Sequence, residues 1–344
     1  MGLSQPLRGG VHHFDSGPRN LITDVAGVRV GHCTVNECGV HSGVTAILPA
    51  PGMLFREKLP AAMHVINGFG KSIGLMQIAE LGTLETPILL SNTLAMGTCF
   101  SALVRYSLDR NPEIGDTTGT VNPVALECCD MPISDIRALG ITEAHAHAAL
   151  EAADDVFEEG DVGAGNGMVC YDLKGGIGSC SRIIHFHEQQ FTIGCLALAN
   201  FGFLRDLTWD GDPVGVRLAK NREEKPDKGS VILVLATDAP LSDRQLTRIC
   251  RRAQSGIART GGFTGHGSGE IALAFTNAYR IPHFPEPGLL HFSILPETAM
   301  DAFFEATVSA VEESISSAME HSQTRPARLG GTILSFQDAR RSLS

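Results

Sequence analysis

Aromatic side chains are scarce in this sequence, with one Trp and three Tyr among 344 residues. So thin a set offers no stacking platform for nucleobases. Positive charge is also the minority: 27 Lys and Arg stand against 38 Asp and Glu, a net charge of −11. A net-negative chain repels phosphate backbones, so no nucleic-acid partner is expected. Long hydrophobic runs are missing as well. The longest, such as the Val-Ile-Leu-Val-Leu-Ala of 231–236, fall far short of a membrane span. Residues 1–10 hold no apolar run and show no signal peptide, so the expectation is a soluble, cytoplasmic chain without a membrane partner.

The Cys-x-x-Cys spacing is absent too. The nine cysteines (Cys33, Cys38, Cys99, Cys128, Cys129, Cys170, Cys180, Cys195 and Cys250) are odd in number and follow no secretion signal. They read as reduced, mostly buried thiols rather than a disulfide framework. The adjacent pair Cys128-Cys129 lacks zinc-site spacing, and neither His145-Ala-His147 nor His185-Phe-His187-Glu188 has a fixed third ligand. No metal is expected.

What is present is apolar material, 43% of the chain, enough for one large core or two modest ones. Short apolar strands alternate with moderate helices, and glycines punctuate the joins. Residues 44–48 and 86–90 read as strands, with a helix over 71–81 between them closed by Gly82. A second helix covers 142–152, opened by a Thr N-cap. Residues 176–184 and 192–199 form a hairpin or meander. The polar stretch 221–229 is a solvated loop feeding a buried strand at 231–236. Ser242-Asp-Arg-Gln245 is a capping box, after which Leu246, Ile249, Ala253 and Ile257 recur at helical spacing until Gly261-Gly262. Residues 271–275 make another strand. Residues 298–319 make a long helix with Phe304, Val308, Val311 and Ile315 facing inward, and the Ser- and Arg-rich end frays. These elements suggest a layered α+β domain. Periodicity alone leaves a layered sandwich and a doubly wound sheet both open.

The chemistry concentrates where the polar loop meets the buried strand, at Gly229-Ser230. If that peptide were cut, Ser230 would carry a free α-amine beside its own hydroxyl. With a pKa of about 7.7–8.0 that amine is partly neutral near pH 7 and can act as the base. Glycine before the serine would allow the strained backbone of an N-to-O acyl shift. Taken alone, Gly-Ser before a strand is more often a turn. The run Gly261-Gly-Phe-Thr-Gly-His-Gly-Ser-Gly-Glu270 lacks the Walker pattern, and it follows a helix and enters a strand, the reverse of a dinucleotide loop. It can present Ser268 and Glu270 on one face, since alternate residues at a strand mouth point the same way. His266 in that loop has no identified partner. Asn200 ends an apolar strand, where it could cap a turn or donate to an oxyanion. Glu127 could pair with a cation or bind a substrate amine.

Together these residues resemble the family of the L-aminopeptidase/D-esterase-amidases and the β-peptidyl aminopeptidases. The resemblance runs from about Asn20 to about Phe336. Its marks are Asn20-Leu-Ile-Thr-Asp-Val-Ala-Gly-Val-Arg-Val-Gly-His32, Val65-Ile-Asn-Gly68 and Leu84-Glu-Thr-Pro-Ile88, followed by Gly163-Ala-Gly-Asn-Gly-Met-Val169 and Lys174-Gly-Gly-Ile-Gly178. After Gly229-Ser230 come Ala236-Thr-Asp-Ala-Pro240 and Gly267-Ser-Gly-Glu270. The resemblance implies a four-layer αββα sandwich, similar to N-terminal-nucleophile hydrolases in layers but connected differently. It implies one catalytic domain over 1–344 that cuts itself into 1–229 and 230–344, two chains that stay together, often within a homotetramer. It makes Ser230 the nucleophile, with Ser268 and Glu270 in support, Asn200 as oxyanion donor and Glu127 as the acid that holds the substrate's amino group. Cys129 stands where the aminopeptidase/D-esterase has a tyrosine, which removes a phenolic donor and opens space. The expected activity is aminopeptidase or amidase action on short peptides, amino-acid amides or esters, with no metal or organic cofactor. An endo-acting hydrolase of amide oligomers and an uncleaved oligomeric binding protein are the rival readings.

Overall fold

A computed structural model describes residues 13–220 and 229–341; most of the predicted polar loop, 221–228, lies outside them. In chain order the principal strands are β1 (Arg29–Glu37), β2 (Val40–Leu48), β3 (Glu57–Gly68), β4 (Ile88–Asn92), β5 (Val124–Cys128), β6 (Gly176–Phe186), β7 (Gln189–Asn200), β8 (Ser230–Thr237) and β9 (Gly269–Thr276). The principal helices are α1 (Met96–Leu108), α2 (Glu143–Glu151), α3 (Asp243–Arg259) and α4 (Met300–Glu320). One sheet runs β1-β2-β4-β5. The other places β9, β8, β7 and β6 in succession beside β3, with Ile281–Pro282 outermost and Thr83–Leu84 paired to β3.

Strand β8 shows why the layers form. It is apolar at successive positions because both of its faces are covered, not one. Val231, Leu233 and Leu235 pack with Leu246, Ile249, Phe303 and Ile315 of α3 and α4. Ile232, Val234 and Ala236 face the other sheet, meeting Ile47, Leu90 and Leu126. That second sheet in turn buries Val44, Ala46, Leu89 and Ala125 against Leu103 of α1 and Leu150 of α2. Three apolar layers therefore separate four structural ones, and the order is αββα. Among the described residues no helix is long and apolar enough to cross a membrane.

Several local expectations shift. The helix expected over 71–81 begins only at Leu75, because Gly74 takes a left-handed φ of 88° and breaks the run before it. The strand expected at 86–90 begins at Ile88, since Pro87 has no N–H to give a ladder. Val308 of α4 is only half-buried, while Ser309, Ser314 and Ser317 are buried. The chain end does not fray as expected through Arg341: Phe336–Arg341 is a helix, with Phe336 stacked on Trp209 at 3.8 Å between centroids. The capping box of α3 is present, Ser242 N–H donating to Gln245 Oε1 at 2.9 Å. None of the nine cysteines is joined in a disulfide, and six are buried.

Candidate active site

Register brings the predicted residues to one end of the large sheet. Ser230 opens β8, directly opposite Asn200 of antiparallel β7 and Gly269 of parallel β9. Asn200 and Ser230 therefore point to the same face, toward the other sheet. Ser230 is buried, and its hydroxyl donates to the Gly229 carbonyl oxygen at 2.7 Å. The Gly269 N–H is shared, lying 3.2 Å from Ser230 Oγ and 3.2 Å from the Gly229 oxygen. Gly269 has no room for a side chain. A Cβ there would stand 2.5 Å from the Phe69 carbonyl oxygen and 3.0 Å from Ser230 Oγ.

Ser268 and Glu270 flank Gly269 and do share a face. Ser268 Oγ donates to Glu270 Oε1 at 3.0 Å, and both residues are buried. The second carboxylate oxygen accepts from Thr264 Oγ1 at 2.8 Å. Thr264 holds a left-handed φ of 62°, which a β-branched residue adopts only under constraint. The constraint is visible: Asn67 Nδ2 donates to the carbonyls of Gly265, at 3.1 Å, and of Ser268, pinning the glycine-rich loop to β3. His266 contributes its carbonyl to the same amide at 3.2 Å. Beside Thr264, the exposed Phe263 stacks on Phe203 with 5.8 Å between centroids, a wall three residues beyond Asn200.

The Asn200 amide is fixed at both ends. Its Oδ1 accepts from the Val169 N–H at 2.8 Å, and its Nδ2 donates to the Cys129 carbonyl at 3.1 Å. One amide hydrogen remains for another acceptor. Close by, Cys128 Sγ donates to the Leu198 carbonyl at 3.6 Å, so the two sheets touch at this end.

Glu127 is the penultimate residue of β5, paired with Ser91 of parallel β4. It is buried, with Oε1 accepting from the Lys71 N–H at 2.9 Å and Oε2 from the Thr93 hydroxyl. Thr93 is set by Asn92, whose Oδ1 caps the turn by accepting from the Leu94 and Ala95 N–H groups at 3.0 and 3.2 Å. Residues 68–71 bridge the two halves. Gly68 pairs with Gly269, the Phe69 carbonyl abuts Gly269, and Lys71 reaches Glu127. Cys129 is half-buried; burial, helped by the Asp130 and Glu127 carboxylates, raises its thiol above the usual range and keeps it protonated. Burial likewise pushes the Asp130 carboxyl up to about 6.

Ser230, Asn200, Glu127 and Cys129 thus gather at the strand ends where the sheets meet, and Ser268 and Glu270 stand at the same end, Glu270 opposite Val231 on the helix-facing side. The reading from sequence missed Asn67, Thr93, Thr264, Gly269 and Lys71. Asn67 and Lys71 stand within or beside a quoted block, and Thr264 lies in the glycine-rich run. Gly269 lies in the same run and in a quoted block, and Thr93 carries no signal apart from register. Neither histidine pair finds further ligands: among the described residues no group of three or more His, Cys, Asp or Glu could hold a metal ion.

Comparison with known proteins gives a consistent picture. The profile of peptidase family S58 matches residues 20–333. A β-peptidyl aminopeptidase of Sphingosinicella xenopeptidilytica is 35% identical over 334 residues, covering 90% of this chain and 82% of that protein. The crystal structure of the PH0078 protein from Pyrococcus horikoshii superposes with a TM-score of 0.91 at 44% identity, over 96% of this chain and 95% of that one. The L-aminopeptidase D-Ala-esterase/amidase of Ochrobactrum anthropi, described as a prototype for the serine aminopeptidases and a new variant among the Ntn hydrolase fold, gives 0.89 at 34% identity, over 97% and 96% of the two chains.

Proposed function

The chain belongs to peptidase family S58, and from that premise we propose that Ser230, freed from Gly229 by the chain's own chemistry, is the nucleophile of an N-terminal-serine aminopeptidase acting on short peptides, amino-acid amides or esters. One observation carries the assignment. The Ser230 hydroxyl lies against the peptide that must break, while the Gly269 N–H holds that peptide's carbonyl oxygen and the hydroxyl together. A donor on a carbonyl oxygen stabilises the charge that develops there when its carbon is attacked. Attack of Oγ on the Gly229 carbonyl carbon moves the acyl group from nitrogen to oxygen. Water then cleaves the ester, leaving a Gly229 carboxylate and the Ser230 amine, and residues 1–229 and 230–344 form one catalytic domain.

In the mature site Glu127 holds the substrate's ammonium with the lone pairs that Lys71 and Thr93 leave open. Ser230 Oγ attacks the substrate carbonyl, and its own amine takes the proton and returns it to the leaving amine. The free hydrogen of the Asn200 amide serves the oxyanion. Ser268 and Glu270 flank the partner of Ser230 in the sheet and orient the new amine. Water resolves the acyl-enzyme, and no metal or organic cofactor enters. A cytoplasmic location is supported by nine cysteines, none of them joined in a disulfide. Self-association into a homo-oligomer is supported by the run of exposed Phe284, Leu289, Leu290, Phe292 and Ile294 on one segment.

The test is Ser230→Ala. It should stay one 344-residue chain on a denaturing gel and be inactive toward amino-acid p-nitroanilides, while the native sequence yields two bands. A variant that still splits after residue 229 overturns the assignment.

A further inference from the structure

We propose that Lys71 determines specificity: its ammonium selects substrates whose first residue carries a side-chain carboxylate. The inference rests on the reading of Glu127 as the anchor for the substrate's amino group. The main chain of Lys71 is already part of that anchor, since its N–H donates to Glu127 Oε1 at 2.9 Å. Its side chain is exposed and rises over the ring of Phe69, Nζ lying 4.9 Å from the centroid. Phe69 is itself 57% exposed, and its carbonyl packs on Gly269, the residue hydrogen-bonded to Ser230 Oγ. The two side chains thus rise from a turn that links the nucleophile to the acid.

Charge decides what this cation does. Basic side chains at the other end of β3 are taken: Lys58 pairs with Glu85, and Arg56 with Glu113. Lys71 has no carboxylate partner among the described residues and is held on an aromatic face instead. A bound substrate neutralises Glu127 with its own ammonium. That leaves the Lys71 charge facing whatever leaves the first residue between the ammonium and the attacked carbonyl. Gly70 presents no side chain on that path, and an added Cβ there would lie 3.4 Å from Glu127 Oε1. A carboxylate on the first residue meets an unpaired cation; an ammonium meets repulsion. The chain's net −11 works against anionic substrates at long range, so the local cation sets the preference at close range.

The experiment compares kcat/KM for the p-nitroanilides of glutamate, glutamine, lysine and alanine on the self-cleaved enzyme. Glutamate and glutamine differ in charge and hardly in shape, so their ratio cancels any general loss of activity. The expected ratio favours glutamate by about tenfold and shrinks as salt rises, because the contact is at the surface. Lys71→Met should bring it close to one, Lys71→Arg should keep it, and Lys71→Glu should turn the preference toward lysine. Each variant's self-cleavage reports that it has folded, and the salt dependence of the native enzyme stands as a test should one fail to fold. Equal rates on glutamate and glutamine, or a preference that survives Lys71→Met, overturn the inference alone. A self-cleaved enzyme that turns over none of the four anilides overturns the aminopeptidase reading and this one with it.

Discussion

Asn200 illustrates how much of the site's behaviour a single side chain can hold. Both ends of its amide are engaged, Oδ1 by Val169 and one Nδ2 hydrogen by Cys129, so the remaining hydrogen cannot swing away. A donor fixed in advance costs no reorganisation when negative charge develops. Asn200→Asp keeps the shape and the acceptor for Val169 but replaces the donor with an anion. It should lower kcat by about 10²–10³-fold, the penalty typical of a lost oxyanion donor. KM should move far less, because the interaction is made mainly in the transition state. Steady-state kinetics on one amide substrate would read both; a kcat within about twofold of native would remove Asn200 from that role.

At the scale of elements, what could be read in the sequence followed from local rules. The strand β8 was legible because an uninterrupted apolar run between a polar loop and a capping box has few other meanings. Helix α3 was legible from its cap and its buried Leu246, Ile249, Ala253 and Ile257. Contacts made by register were not. Thr93 meets Glu127 only because β4 and β5 pair in parallel, which no spacing along the chain reveals. On α4 the inward Phe304, Val311 and Ile315 were legible and the buried serines were not: Ser314 donates to carbonyls of Ala310 and Cys195, so a polar residue occupies a core position. Lys174 is the extreme case, since charge in the sequence suggests solvent. Its ammonium is fully buried, donating to the Gly165 and Gly175 carbonyls at 3.0 and 2.5 Å. Burial drags it from an ordinary 10.5 to about 7. Between those values the unfolded chain binds the extra proton, so this group's contribution to stability rises with pH across that window. Lys174→Met lacks the effect. The native residue should therefore gain on the variant by on the order of 3 kcal/mol from pH 7 to pH 10.5, read by thermal unfolding at each pH. Using the Ser230→Ala background keeps residues 1–229 and 230–344 on one chain, and equal protein concentrations make the comparison like for like. Asp130, raised to about 6, titrates below that window and does not confound it. A pH-independent difference would mean that Lys174 keeps its proton throughout.

For the whole molecule, the consequence of cutting before Ser230 depends on where that bond sits. In the large sheet β3, β6 and β7 precede the cut and β8 and β9 follow it, and β8 lies between β7 and β9. Neither product would own a complete sheet. The core between the sheets mixes Leu126, Leu196 and Leu198 with Ile232, Leu273 and Phe275, and the outer core sets Cys195 and Phe191 against Phe303 and Ile315. A buried ion pair also crosses the division: Arg182 bonds Glu313, while Ser309 accepts from Arg182 Nε at 2.9 Å and Asn20 donates to Glu313 at 2.5 Å. An interface that resembles a domain core cut in half buries on the order of thousands of Å² and belongs to obligate complexes. The self-cleaved enzyme should therefore migrate as one species containing both fragments at the lowest concentrations a sizing column can follow, and release them only in denaturant. Residues 230–344 made alone should fail to fold, since α3 and α4 would face only β8 and β9 and leave much of their apolar surface in water. Elution of separate fragments under native conditions would show that the cut opens the sheet, and a site built from Asn200 on one fragment and Ser230 on the other could not then persist.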